Sequence, residues 1–217
     1  MALARPGLRS ERGLLFWKLC GAGSGHGFSF RPDGSVWAIL ASWASEAAAR
    51  SGIEGATWRG WRERAAESWT TLLSPLSVRG AWAGVNPFLP DPGATGSGPF
   101  AVLTRATLRP RHLPHFWRAV PEVNDRIGMD PEVLFKIGIG EVPLLHQVTF
   151  SIWPDLGAMA RFARAEGGPH ARAIRAARQG GWFSEELYAR FQVMDSLGSW
   201  NGANPLPAPP ASERIRS

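Results

Sequence analysis

Five histidines, one cysteine and 18 acidic residues are foremost among the side chains in this 217-residue sequence that could ligate a metal, attack a substrate or move a proton. Their order matches no Ser-His-Asp triad, zinc-binding spacing or carboxylate pair. His112 and His115 bracket Leu113-Pro114, and two imidazoles three apart can chelate a cation. With Pro114 between them and no carboxylate beside them, they read as solvated histidines. Cys20 could offer a thiolate to iron, but a free cysteine in a strand is more often a small buried hydrophobe. His170 opens a short helical stretch, "PHARAIRAARQGGW". At roughly 100° per residue, Ala173, Ile174 and Ala177 share its side and Arg172 and Arg175 point away. An imidazole on such an apolar face is ordinarily satisfied by a backbone partner, and it could also hold a cofactor. His146 stands at the mouth of a predicted strand.

Two glycine-rich stretches resemble phosphate loops only superficially. "GAGSGHG" at Gly21 lacks both a Lys-Ser/Thr ending and dinucleotide spacing, and reads as a hairpin loop. "KIGIGE" at Lys136 reads as a strand narrowing into a turn, where glycine permits close backbone or ligand approach.

The elements that must position these residues come from a weak internal duplication. "LLFWKLCGAG" at Leu14 resembles "VLFKIGIGE" at Val133, and "VWAILASWASEAAA" at Val36 resembles "VTFSIWPDLGAMA" at Val148. "WRGWRERAAESW" at Trp58 parallels "HARAIRAARQGGW" at His170, and "RGAWAG" parallels "LGSWNG". The counterparts of His170 and His146 are about Thr57 and Val36, so neither histidine is duplicated. A packing histidine is expected in both copies of a module, whereas a single ligand need occur only once.

In the second copy, 101–108, 133–139 and 147–153 read as strands, and Phe116, Val120, Val123 and Ile127 form one helical stripe. Asp155 is the N-cap of a helix expected to bury Leu156, Met159, Ala160 and Phe162 or Ala163. "ELYARFQVM" closes the unit as a strand. The order β-α-β-β-α-β is the ferredoxin-like plan. The expected fold is α+β, two tandem ferredoxin-like modules forming a dimeric-type α+β barrel with helices outside. Residues 1–87 make the first module, lacking its opening strand and most of its first helix; 88–100 make a Pro/Gly-rich linker, 101–203 the second module, and 204–217 a disordered tail.

Composition limits the alternatives. Net charge is +6 with a pI near 10.8, yet only Lys18 and Lys136 of the 24 basic residues are lysine. The arginines are scattered without stacking aromatics, so no nucleic-acid groove is expected. A basic surface against anionic lipid remains compatible. Apolar runs such as Val36–Trp43 fall well short of the roughly 20 residues that span a bilayer. The N-terminal "MALARPGLRSERG" has no continuous apolar core, and one cysteine allows no internal disulfide, so a reducing cytoplasm is the expected location. Eleven tryptophans against one tyrosine should line cores or pockets.

The blocks "VLFKIGIGEVPLLHQVTFSIWPD", "PHARAIRAARQGGWFSEELYARF", "FWKLCGAGSGHGF", "VWAILASW" and "WRERAAESWTTLLSPLSVRGAWAGVNPF" resemble the spheroidene monooxygenase family, the acyclic carotenoid 2-ketolases of purple photosynthetic bacteria. The resemblance runs from about Leu14 to Trp200. Family members carry an additional N-terminal strand and helix, so the chain departs from the pattern where the repeat comparison leaves its gap. The resemblance implies a haem-containing oxidoreductase that takes dioxygen and electrons from reduced ferredoxin and oxidises C-2 of an acyclic carotenoid. By analogy with ferredoxin-like barrels that bind haem through a helix histidine, His170 is the expected iron ligand, and His146 the alternative ligand or distal group. The macrocycle is expected between the two sheets, with Phe135, Phe150 and Trp153 forming an apolar wall for iron and polyene. Such an enzyme would associate peripherally with the inner or photosynthetic membrane. A non-catalytic haem carrier or sensor, and an oxygenase of another lipophilic polyene, are the rival readings.

Overall fold

The computed structural model describes residues 4–24, 31–118, 130–164 and 180–206. Seven strands form one antiparallel sheet: β1 (Leu14–Gly23), β2 (Pro32–Trp43), β3 (Trp69–Gly80), β4 (Phe100–Leu108), β5 (Phe135–Gly140), β6 (His146–Trp153) and β7 (Phe183–Gly198), in the order β2-β1-β5-β6-β4-β7-β3. The block β5-β6-β4-β7 is the ferredoxin-like arrangement, with β4 hydrogen-bonded between β6 and β7. Two seams join it to the first unit. One is long, from Trp69↔Gly198 to Gly80↔Leu187; the other pairs only Gly21↔Gly140 and Ala22↔Ile139. Gly21, expected in a hairpin loop, therefore lies within β1, where it meets β5.

Alternation along the strands sorts the side chains. Ala101 and Leu103 of β4, Val148, Phe150 and Ile152 of β6, and Leu187, Ala189 and Phe191 of β7 enter one central core. Val36, Ala38 and Leu40 from one edge strand and Leu73 and Val78 from the other pack on that same core. Edges at opposite ends of the order can share a core only if the sheet curls on itself. The convex face is covered by helices. α1 (Arg5–Ser10), α2 (Glu46–Ile53) and α3 (Ala56–Arg62) cluster with Trp43, Trp58 and Leu72, and α4 (Leu156–Arg164) covers Phe100, Val102 and Trp153.

Local signals explain the helix positions. Ser45 caps α2 by accepting from the Ala48 amide at 3.1 Å, and Asp155 Oδ1 accepts from the Ala158 amide at 2.8 Å. The phase of α4 differs from expectation: Ala158 is fully buried, Met159 and Phe162 pack beside it, and Leu156 is 42% exposed. Ala158 and Phe162, one turn apart, meet the sheet, and Leu156, two residues earlier, is carried to the far side. The helical stripe expected from Phe116 lies mostly outside the described residues.

The Pro/Gly-rich segment before β4 runs back along β3 and β7. Phe88 packs edge-on against Phe191 at 5.1 Å, Asp91 accepts from Ser74 Oγ at 2.5 Å, and its amide donates to the Pro75 carbonyl at 2.7 Å. Asn204 and Leu206, expected in a disordered tail, are tied down instead: Asn204 accepts from Ser196 Oγ at 2.8 Å, and Leu206 packs on the core. Pro75 interrupts the β3–β7 register between Pro75 and Ser77, which an edge strand tolerates because its outer amides have no partner strand. Phe191→Ala should cost about 3–5 kcal/mol in urea unfolding, whereas Met194→Ala, 44% exposed three residues on, should stay within about 0.5 kcal/mol.

Candidate functional site

At one end of the sheet the inward-facing row turns polar. His146 of β6 pairs with Thr107 of β4, which pairs on its other side with Glu185 of β7. One step deeper, Arg105 occupies the inward phase set by Ala101 and Leu103, and is 2% exposed. Its guanidinium is ion-paired with Glu185 and lies 5.6 Å from the Trp82 ring centroid. Burial alone would raise the Glu185 carboxyl, but the Gly84 and Ala83 amides, donating at 2.7 and 3.0 Å, and the Arg105 guanidinium hold it below the usual carboxylate range. With Arg105 buried and Glu185 only partly so, the pair adds little net stability, but losing Glu185 would strand a buried guanidinium, so it fixes which strand ends meet here.

A second carboxylate gathers the other side of the rim. Glu141 accepts from Trp82 Nε1 at 2.9 Å, pairs with Lys18 Nζ at 3.1 Å, and lies 3.6 Å from His146 Nδ1. The short turn between β5 and β6 brings Glu141 and His146 together. A Cβ at Gly140 would sit 2.3 Å from the His146 carbonyl oxygen, so only glycine lets the turn close. This bears out the expectation that "KIGIGE" narrows into a turn with close backbone approach. His146 Nδ1 is buried and has no hydrogen-bond partner. The imidazole also lines a cavity of about 650 Å³ with Thr107, Leu108, Arg109, Pro110, Arg111, Leu145 and Ser184. A histidine backed by a carboxylate and open to a cavity can hold a metal or a proton.

Cys20 lies in the central core, fully buried. Burial first, and then the Glu141 charge, push its thiol up to about 12 against a partial offset from Lys18, so it presents no thiolate near neutral pH. His112 stacks on Trp182 at 6.3 Å and accepts from Arg111 Nε at 2.9 Å; its ring centroid is 6.4 Å from that of His115. Among the described residues no cluster of three or more His, Cys, Asp or Glu could hold a metal ion.

The predicted site residues are dispersed. His146 faces the cavity, and His170 lies outside the described residues. Phe135 and Phe150 meet in the central core with ring centroids 6.3 Å apart and do not line the cavity. Trp153 is under α4, tilted against Phe162 at 5.1 Å. Phe150 and Trp153 are three residues apart on a strand of period two, so they point to opposite faces and cannot form one wall. The expectation of a macrocycle between the sheets also needs correction: among the described residues that space holds Trp82, Phe135, Phe150 and Phe191. Glu141, Lys18, Trp82, Arg105 and Glu185 were not among the expected site residues. One signal was present, since "AVLTRATL" places an arginine in the inward phase of an apolar strand.

The buried thiol has a measurable consequence. Up to its ordinary pKa of 9.0, both folded and unfolded chains keep the proton; between 9.0 and about 12 only the unfolded chain ionises. Stability should therefore fall over that window by about 1.4 kcal/mol per pH unit from this group. Urea unfolding at about pH 8 and pH 10 should show the loss in the native chain and a flatter profile in Cys20→Ala.

No family model matches the chain. It is 50% identical over 209 residues to the spheroidene monooxygenase of Rhodobacter capsulatus, covering 95% of this chain and 86% of that protein. The spheroidene monooxygenase of Cereibacter sphaeroides is 47% identical over 192 residues, 88% of this chain and 59% of its own length. That of Rubrivivax gelatinosus is 35% identical over 202 residues, 93% of this chain and 75% of its own. A solved Fusobacterium nucleatum structure named for a monooxygenase superposes over 93% of this chain and 85% of its own at 11% identity and a TM-score of 0.45, a loose likeness of architecture that carries no chemical argument. Identity of this extent, spread over both units and both seams of the sheet, means that the chain belongs to the spheroidene monooxygenase family.

Proposed function

We propose that this chain is a monooxygenase that converts acyclic carotenoids of the spheroidene type into 2-ketones, with haem as cofactor, dioxygen as co-substrate and reduced ferredoxin as electron donor. The observation that carries the reading is the 50% identity over 95% of the chain to the Rhodobacter capsulatus protein of that name. The site chemistry supports it: an imidazole whose Nδ1 faces a carboxylate lines a cavity walled by Leu108, Pro110 and Leu145 as well as by arginines.

Among the described residues, His146 is the donor at the cavity suited to a haem. His170 is the proposed iron ligand, and His146 on the cavity wall is the alternative ligand or distal group. When bound, haem would supply the activation of dioxygen that an unactivated carbon demands. Each turnover consumes one dioxygen, two electrons and two protons, replaces one C–H bond at C-2 by C–OH, and releases water. A second turnover at the same carbon gives a geminal diol, which loses water to leave the ketone. His146 delivers protons at the cavity wall. Glu141 faces its ring 3.6 Å from Nδ1, and Lys18 and the Trp82 indole hold Glu141 in place. Leu108, Pro110 and Leu145 offer the polyene an apolar wall.

Expression in cells that make spheroidene, with ferredoxin and its reductase, should give a 2-keto carotenoid. A colourless, haem-free protein or an unchanged pigment would overturn the reading, and the latter with haem bound would favour a carrier. His170→Ala should lose the Soret band, whereas His146→Ala should keep it and lose product by on the order of a hundredfold or more. The reverse pattern would exchange the two roles. Glu141→Gln should lower turnover about 10- to 100-fold with haem content retained.

A further inference from the structure

We propose that the end of the barrel carrying the cavity is the face this chain lays on an anionic lipid bilayer. The inference rests on the reading of the substrate as a membrane-dissolved polyene and names the surface through which that site meets it. No helix among the described residues is long and apolar enough to cross a membrane, so contact through such a face is the route the described helices leave open.

Connectivity fixes which parts share this end. β1, β3, β4 and β5 finish here, and β2, β6 and β7 begin here. Apolar side chains stand out from its turns: Val85 is 51% exposed, Val142 39% and Leu144 38%. Trp37, 52% exposed, sits opposite Gly21, which pairs with Gly140 one residue before Glu141. Side chains of this kind insert shallowly among acyl chains, and tryptophan favours the headgroup boundary.

Charge separates this end from the other. Arg109 donates through Nε to the Phe183 carbonyl and Arg111 to the His112 ring, both neutral acceptors, so their positive charges stay uncompensated beside the cavity. Against them stand the exposed carboxylates Asp33 and Glu186. The opposite end also exposes Leu15 and Leu197, 65% and 42%. There, however, Arg50 is neutralised by Glu46 and Asp195, Arg161 by Glu132, and Glu67 is held anionic by the Gly202 amide, the Ser199 hydroxyl and the Asn201 amide. At the second end Arg59 and Arg64 also donate only to backbone carbonyls, but they stand among Glu54, Glu63 and Glu67, so an anionic surface complements the first end better than the second. A polyene leaving a bilayer pressed on the first end reaches the cavity beside His146 without crossing water.

The test is sedimentation of the full chain, haem-loaded, with carotenoid-free vesicles of phosphatidylcholine with or without phosphatidylglycerol. Binding should favour the anionic vesicles and weaken with salt. Val142→Asp with Leu144→Asp should lower the partition coefficient at least about tenfold. Arg109→Gln and Arg111→Gln should each reduce the anionic preference about fivefold. Leu15→Asp with Leu197→Asp, at the opposite end, should bind as the native chain does, with circular dichroism confirming that every variant folds. Absence of vesicle binding, or equal loss from the opposite-end pair, would overturn the surface. Because these vesicles hold no substrate, a chain that binds through this end but leaves spheroidene unchanged keeps the surface and overturns the activity.

Discussion

One constraint runs through the molecule: alternate residues of seven antiparallel strands face a single core that both edge strands share. A register slip of one residue would exchange Val148, Phe150 and Ile152 for their outward neighbours. The length of the β3–β7 seam and the three-strand ladder through β4 guard against it. Curling brings the edges together, and among the described residues α1 to α4 cover the outer face.

The polar rim is a consequence of where that apolar filling stops. At the deep end the inward rows are Ile152, Ala101 and Phe191; at the rim they become His146, Thr107 and Glu185. Charges there meet the low-dielectric core on one side and the cavity on the other. Each carboxylate has at least two polar partners where it meets the aromatic walls. Trp82 links the two carboxylates physically, with its ring under Arg105 and its indole N–H on Glu141.

The two units contribute unequally. Lys18 and Trp82 come from the first, and Glu141, His146, Arg105 and Glu185 from the second. The narrow β1–β5 seam brings Lys18 within reach of Glu141, and the long β3–β7 seam delivers the turn that carries Trp82. The rim is thus complete only when both seams close, although most of its ionisable groups lie in one unit.

The sequence by itself determined the local plan. Period-two stretches located the first three strands of the second unit to within a residue or two, the closing strand was read three to four residues short at each end, and Asp155 marked the helix start. It also held Cys20 to a core role, because one thiol among apolar neighbours has little else to do. The tertiary structure alone decided the site. Glu141 and Lys18 are 123 positions apart in sequence, and no spacing rule relates a lysine on one strand to a turn glutamate on another. The separation of Trp153 from Phe150 was decidable from strand parity, yet which parity faced the core depended on which face the helices covered. That choice is made by the burial of the whole sheet at once, so it resides in no single segment of the chain.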